Sequence, residues 1–496
     1  MSTLRVLLVA PELTPLAPVG GIAEYLLGLA TSLLRKGHDV RVALPAYGYL
    51  RSREDLTQIG ERLVISLGVG AAEISRAYET SIECPGGDRH RLQVYLLGEH
   101  KHLASVSSKE LVYRWPNHAP WIVFSRSIID FLESSDWRPD IIHCHDAHTA
   151  LVPVYIRELR NKDRKHWAHE TRTVLTIHNL LYQGTGDPSL VSFAGLPQGL
   201  FNTDCFEYYG QANCLKAGLV SADAVNTVSR TYAQEICTSE EFGFGLEGVL
   251  RHLRETGRLS GIVNGIDEDR WRLNGLDCDG DDRVEVVDEA RKACRRKCFK
   301  QWNWPMTNEP VIGFRARWDM QKGIETLVQG MEQLLGVAKV VVVTWGTPGD
   351  SAELRDLWRQ LQLLAEQSKD RLEINPKGLS KPEETAEHYT LADFFLMPSW
   401  YEPCGLVQME CQRYGAIPIV SQTGGLADTV AEDGPNPNGF LLERKSVAAM
   451  IDAVNRAIEA WPSPEERVQL IRNTLAQRNA WDTRVPEYEA LYAPFA

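Results

Sequence analysis

The chain opens on Leu4-Arg-Val-Leu-Leu-Val-Ala10, apolar apart from Arg5, which predicts a buried strand. A proline-rich loop and Gly20-Gly21 follow, and from Ile22 to Arg35 apolar residues recur at helical spacing. Asp39–Pro45 predicts a second strand, so the start of the chain is a βαβ unit. Strand-like runs at Ile141–Cys144 and Thr173–Ile177 alternate with helical stretches, which predicts an open parallel sheet covered by helices and closing at Gly265. After a charged stretch, Asp277–Lys300, expected to be linker and helix, the pattern restarts. Pro310–Trp318, Ala338–Trp345, Arg371–Asn375, Asp393–Pro398 and Ala416–Ser421 read as strands separated by segments of helical length. The expected architecture is therefore α/β, with two Rossmann-like domains at 1–265 and 266–475 and a C-terminal helix, 476–496, packing back on the first. In doubly wound sheets ligands bind beyond the carboxyl ends of strands, so two such domains facing each other place the expected site in a cleft.

Length and composition agree with this picture: 496 residues exceed one ordinary core, and 44% hydrophobic with 24% charged residues is ordinary globular usage. A formal net charge of −13 argues against binding nucleic acid or an anionic membrane by bulk electrostatics, while a neutral polymer remains compatible. The ten cysteines include no C-x-x-C pair, and Cys294 with Cys298 alone makes no zinc site without further Cys or His partners. Reduced thiols in a cytoplasmic protein are the expectation. The apolar run before Pro11 is too short for a signal sequence or a membrane span.

Chemistry-bearing residues fall where strands end. Gly20-Gly21 lies between strand and helix, where a backbone without Cβ can approach a phosphate; such a pair is also an ordinary tight turn. His143-Cys-His-Asp-Ala-His148 and Thr176-Ile-His-Asn179 each follow a strand. Successive strand-end residues point to opposite faces, so one ion would not collect them; no metal is expected, and hydrogen bonding to sugar hydroxyls is the better reading. Arg317 and Lys322 suit a diphosphate leaving group, although a surface salt bridge explains them as well. Pro398-Ser-Trp-Tyr-Glu-Pro-Cys-Gly-Leu406 puts Glu402 at the end of a strand and Glu410 about two turns into a helix. Ser421-Gln-Thr-Gly-Gly-Leu-Ala-Asp-Thr-Val430 repeats strand, double glycine and helix. For Glu410 two readings stand, a contact to ribose hydroxyls or an i,i+3 pair with Arg413.

In order and spelling these segments resemble the glycogen/starch synthase family of retaining GT-B glucosyltransferases. The match rests on His143–Leu151, Thr176–Gly184, Tyr209–Ser229, Asn264–Asp267, Gln321–Gly323, Glu402–Leu406 and Thr423–Val430, and covers most of the chain. The resemblance implies a GT-B fold and transfer of glucose from ADP-glucose to an α-1,4-glucan or maltooligosaccharide, without metal or cofactor. It implies Arg317 and Lys322 on the donor diphosphate, Glu402 on the glucose hydroxyls, and His178, Asp146 and Asn264 near the reacting carbon and acceptor. Gly20 and Gly21, with Glu24 in the usual acidic position, would approach the phosphates. Cys404, Gly405, Leu406, Thr423, Gly424 and Gly425 would line the nucleotide-sugar site. Retention without an obvious enzymic nucleophile implies front-face substitution: the nucleoside diphosphate departs and one of its phosphate oxygens takes the proton of the incoming 4-hydroxyl.

The chain departs from the family at Pro18, where a Lys is usual, at Ala147, usually Trp, and at Gln422, usually basic. The aromatic that flanks adenine aligns to Leu379 or Ser380. Two alternatives follow from these departures: a related transferase with another nucleotide-sugar donor or a small acceptor, and a weakly active glucan-binding regulator.

Overall fold

The computed structural model describes residues 3–68, 72–86, 90–99, 101–108, 112–113, 118–276, 280–345, 351–379 and 381–493. It divides into two compact units, Met1–Val228 with Ala233–Gly265 and Trp481–Ala496, and Ser229–Tyr232 with Ile266–Ala480.

The strands of the first unit are β1 (Arg5–Val9), β2 (Asp39–Pro45), β3 (Thr57–Ser66), β4 (Ala72–Glu83), β5 (Arg91–Leu97), β6 (Ile141–His145), β7 (Arg172–Ile177), β8 (Thr185–Gly186), β9 (Glu207–Tyr208), β10 (Gln211–Asn213), β11 (Ala224–Thr227) and β12 (Leu259–Gly261). Nine of them form one sheet in the order β12-β11-β7-β6-β1-β2-β5-β4-β3, and β8, β10 and β9 form a small separate one. Strand β1 lies between β2 and β6, with Leu7 opposite Arg41 and Ile142. The strand order therefore reverses at β1/β6, which places the Gly20-Gly21 loop and the His145-Asp146 turn at the carboxyl side of the switch point.

One expectation needs correction. The sheet is not parallel throughout, because β4 runs antiparallel to both β5 and β3. A register shift between Ile59 and Leu63 moves the apolar residues of β3 out of simple alternation, which hid this edge hairpin from a period-2 reading.

The C-terminal segment completes the first unit. The turn Trp481–Thr483 and helix Val485–Tyr492 pack against helix Gly21–Arg35. Tyr25 meets Trp481 edge to face at 5.2 Å and shares a 2.9 Å hydrogen bond with the Tyr488 hydroxyl. Gly28 admits the indole, since a Cβ there would stand 1.9 Å from Trp481 Nε1. Trp481 is 6% exposed, so Trp481→Ala should lower unfolding stability by about 3–5 kcal/mol, the usual loss for a buried aromatic. Denaturant titration of the variant checks this; a loss below about 1 kcal/mol would mean the tail is not docked in solution.

The second unit is a six-stranded parallel sheet of β13 (Val311–Arg317), β14 (Lys339–Trp345), β15 (Leu372–Asn375), β16 (Phe394–Met397), β17 (Ile417–Ser421) and β18 (Phe440–Leu442). Its order, β15-β14-β13-β16-β17-β18, is the doubly wound 3-2-1-4-5-6 arrangement. Strand β13 starts at Val311 rather than at the expected Pro310, which has no N–H for a ladder. The expected linker and helix resolves into a helix over Asp281–Trp302, ended by Asn303 at φ 57°; residues 277–279 lie outside the described residues.

Candidate active site

In the first unit the strand ends gather a buried polar cluster. Asp146 sits just past β6 in the left-handed region, at φ 56°, and is 4% exposed. Its Oδ1 accepts the backbone N–H of His178 at 2.7 Å, which ties the end of β6 to the end of β7. Burial pushes the Asp146 carboxyl from an ordinary 3.8 up to about 7; the N–H groups of His178 and Asn179 pull the other way, and Glu12 adds repulsion. His178 is partly exposed, lies edge-on to Tyr25 at 4.5 Å, and is bonded through Nε2 to His145 Nδ1 at 3.2 Å. Burial lowers its pKa to about 3, so it meets a ligand as a neutral ring. His143 belongs to the core instead, bonded to the Tyr492 hydroxyl at 2.7 Å and to Thr176 Oγ1 at 2.5 Å. Asn264 is buried, and its Oδ1 has no hydrogen-bond partner among the described residues.

The double glycine has a neighbour that the sequence did not single out. Glu12, buried in the loop after β1, accepts the Gly20 N–H at 2.5 Å and the Tyr113 hydroxyl. Burial raises its pKa. A Cβ at Gly20 would come within 3.2 Å of this carboxyl, whereas one at Gly21 would meet nothing within 4 Å. A side chain at Gly20 would therefore crowd Glu12, whereas Gly21 faces open space. Glu24, in the first turn of the helix, accepts the Thr14 hydroxyl at 3.0 Å. An acid in an irregular proline-containing loop carries no period or spacing, so only its place after β1 pointed to Glu12. Pro18 is exposed, and Ala147 is buried 3.3 Å from where a Gly184 Cβ would lie.

In the second unit Arg317 ends β13 and is exposed, with no side-chain partner among the described residues. Lys322 follows in the turn Met320–Lys322, whose Asp319 caps Gln321. Lys322 Nζ donates to both oxygens of Glu402, at 2.9 and 2.7 Å, and Ser399 Oγ adds a bond of 3.0 Å. Glu402 is 5% exposed, so a bidentate cation contact holds a buried carboxylate beside the ends of β13 and β16. Gly323, at φ 68°, lets the turn close on the Pro398 carbonyl, which a Cβ would approach to 1.9 Å.

The Thr423-Gly424-Gly425 loop packs on the Glu402-Pro-Cys-Gly-Leu406 loop. A Cβ at Gly424 would fall 1.9 Å from Glu402 O, and one at Gly425 2.2 Å from Cys404 O. The Gly425 N–H reaches the Glu402 and Pro403 carbonyls at 3.2 Å. Close backbone approach therefore accounts for both glycines, with Cys404 and Thr423 buried and Leu406 and Gly405 partly exposed. Gln422 is exposed. Leu379 packs against the core cluster around Phe299 and Trp304; Ser380 lies outside the described residues.

Glu410 is not paired through its side chain with Arg413, which faces Glu268 at 3.9 Å. Its Oε2 accepts the Tyr389 hydroxyl at 2.6 Å and lies 3.6 Å from Arg315 Nη1. A helix projects residues i and i+3 along one side, yet here β13 supplies a cation that tertiary packing brings closer. Arg315 also lies over the Trp345 ring at 5.3 Å.

Two doubly wound units, the first with Asp146 and neutral His178 at its strand ends and the second with Arg317, Lys322 and Glu402, belong with the glycosyltransferases of the GT-B class. The model of the starch synthase catalytic domain matches residues 5–252, and that of the glycosyl transferases group 1 matches residues 295–477. The chain belongs to the glycogen/starch synthase family. It is 36% identical to a glycogen synthase of Geotalea daltonii, over 99% of this chain and 98% of that protein. It is 35% identical to the glycogen synthase of Thermotoga maritima over the same shares. Among solved structures it is similar to the catalytic domain of starch synthase IV from Arabidopsis thaliana bound to ADP and acarbose. The TM-score there is 0.84 and the identity 28%, covering 100% of this chain and 99% of that one. Sucrose-phosphate synthase from Thermosynechococcus elongatus, with TM-score 0.59, 19% identity and coverage of 99% and 98%, shares the fold.

The carboxyl of Asp146 has a consequence for stability. Between pH 3.8 and about 7 the folded chain keeps a proton that the unfolded chain has released, so stability falls as pH rises through that window and is flat above it. The penalty at high pH is on the order of 4 kcal/mol. Asp146→Asn keeps an oxygen for the His178 N–H but removes the titration. Its stability relative to the parent should rise between about pH 4 and about pH 7 and then level off, read by chemical denaturation at each pH. A difference that does not change with pH would contradict the raised carboxyl.

Proposed function

We propose that this protein transfers glucose from ADP-glucose to the non-reducing end of an α-1,4-glucan with retention of configuration. The observation that carries the reading is the bidentate contact of Lys322 with the buried Glu402 carboxylate, near Arg317 at the ends of β13 and β16. Lys322 and Arg317 neutralise the charge that develops on the departing diphosphate, and Glu402 accepts hydrogen bonds from glucose hydroxyls. Cationic side chains supply this charge without a metal. On the acceptor side, neutral His178 offers hydrogen bonding rather than charge, and Asp146 fixes the backbone that carries it. Asn264, whose buried Oδ1 has no hydrogen-bond partner among the described residues, offers a further acceptor for a sugar hydroxyl. The leaving phosphate oxygen takes the 4-hydroxyl proton as the new glycosidic bond forms.

ADP as the nucleotide and a glucan as the acceptor are supported by the family and by the ADP and acarbose of the plant starch synthase IV domain. Among the described residues no helix is long and apolar enough to cross a membrane, and a cytoplasmic setting suits the reading. The test is a panel of nucleotide-glucose donors against glycogen and maltooligosaccharides. The proposal expects the highest kcat/KM with ADP-glucose on either glucan. A preference for another nucleotide, or glucan binding without turnover, would replace it.

A further inference from the structure

Helix Asp281–Trp302 places Cys294 and Cys298 one turn apart, and helix Pro382–Leu391 brings Glu387 against them. The sulfurs are 4.0 Å apart. Cys298 Sγ lies 3.5 Å from Glu387 Oε1, Cys294 Sγ lies 3.4 Å from the Glu387 carbonyl oxygen, and the three side-chain donor atoms all fall within 4.8 Å of one another. A tetrahedral zinc-like ion, with metal–sulfur bonds of about 2.3 Å and metal–oxygen bonds of about 2.0 Å, needs about 3.8 Å between its sulfurs and about 3.5 Å between sulfur and oxygen. The Cys294–Cys298 and Cys298–Glu387 separations match those values before any side chain moves, and the third, Cys294 Sγ to the Glu387 carboxylate, lies within 4.8 Å and closes by a side-chain adjustment. Sequence spacing could not reveal the third donor, which comes from a distant segment of the chain.

We propose that Cys294, Cys298 and Glu387 form a binding site for one thiophilic divalent cation of the zinc and cadmium type. Two thiolates and a carboxylate supply three ligands, and solvent supplies the fourth, since Cys294 and Glu387 are both partly exposed while Cys298 is buried. Binding releases the two thiol protons to solvent and leaves a site of net charge −1, beside which Lys297, 2.6 Å from Glu387 Oε1, provides a counter-charge. The ion would clip the two helices together over the core cluster that contains Cys298, Phe299 and Leu391. This role is structural and separate from the glucosyl-transfer residues.

The test is a titration of the full-length reduced protein with Cd²⁺ alone, read as the thiolate-to-cadmium charge-transfer absorption. One ion per chain is expected, together with a rise in melting temperature that needs no variant to interpret. Cys294→Ser and Cys298→Ser should each weaken binding at least about 100-fold, beyond the range of about 10–100-fold typical of losing an outer partner. Glu387→Gln should weaken it about 10-fold or more while leaving the circular dichroism spectrum unchanged. Cys278→Ser, at a cysteine outside the described residues, should leave the band intact. Absence of a saturable band, a band that survives both Cys294→Ser and Cys298→Ser or is lost in Cys278→Ser, or closure of the pair to a disulfide without cation uptake would overturn the proposal.

Discussion

Replacing Glu402 with alanine is expected to lower kcat by at least about 100-fold, and replacing Lys322 to do the same, because each acts on charge or orientation in the transition state. The bidentate pair adds a sharper expectation. Lys322 and Glu402 hold each other in place, so the double variant should lose little more activity than the worse single one. Their effects on folding should differ. Lys322→Ala leaves a carboxylate that is 5% exposed without its cation and should cost about 3 kcal/mol, whereas Glu402→Ala leaves only a more exposed ammonium. Steady-state kinetics with denaturant titration on the four proteins of the cycle checks both parts. Simple multiplication of the two single losses would mean that the pair does not act as one device.

Arg317→Ala is expected to lose about 10²–10³-fold in kcat with almost no change in stability. The reasoning is the reverse of that for Lys322: the guanidinium ends a strand, faces solvent, and has no partner among the described residues, so folding does not rely on it. A surface arginine with no task would tolerate alanine in both measurements. Near-parental turnover in Arg317→Ala would remove this residue from the transfer chemistry. Arg317→Lys should recover only part of the loss, because a single ammonium cannot reproduce the planar fork that bridges two phosphate oxygens.

The two sheets were legible because buried parallel strands carry continuous apolar runs, as β14 does over 340–343 and β16 does throughout. The β3–β4 edge was not, since its bulge breaks the alternation that marks a half-solvated strand. Short strands such as β12 and β18 carry too few residues to show a period. At the candidate site, Glu402, Lys322 and Arg317 could be read from their places at strand ends. What escaped were the pairings. That Glu12 holds Gly20, that Glu410 turns to Tyr389 and Arg315, and that Glu387 meets two cysteines all depend on segments far apart in the chain. The glycines of Thr423–Gly425 illustrate a different limit, because phosphate approach and tight loop packing ask for the same residue, and only the Cβ distances reveal the second requirement.

The central claim is that this chain elongates an α-1,4-glucan by retaining transfer from ADP-glucose, and proton NMR of the enzyme with ADP-glucose and maltotetraose tests it most directly. The account predicts that a new α-configured 1→4 anomeric signal grows in step with released ADP as maltotetraose becomes maltopentaose. A β-configured product, release of ADP without chain growth, or no turnover would contradict it.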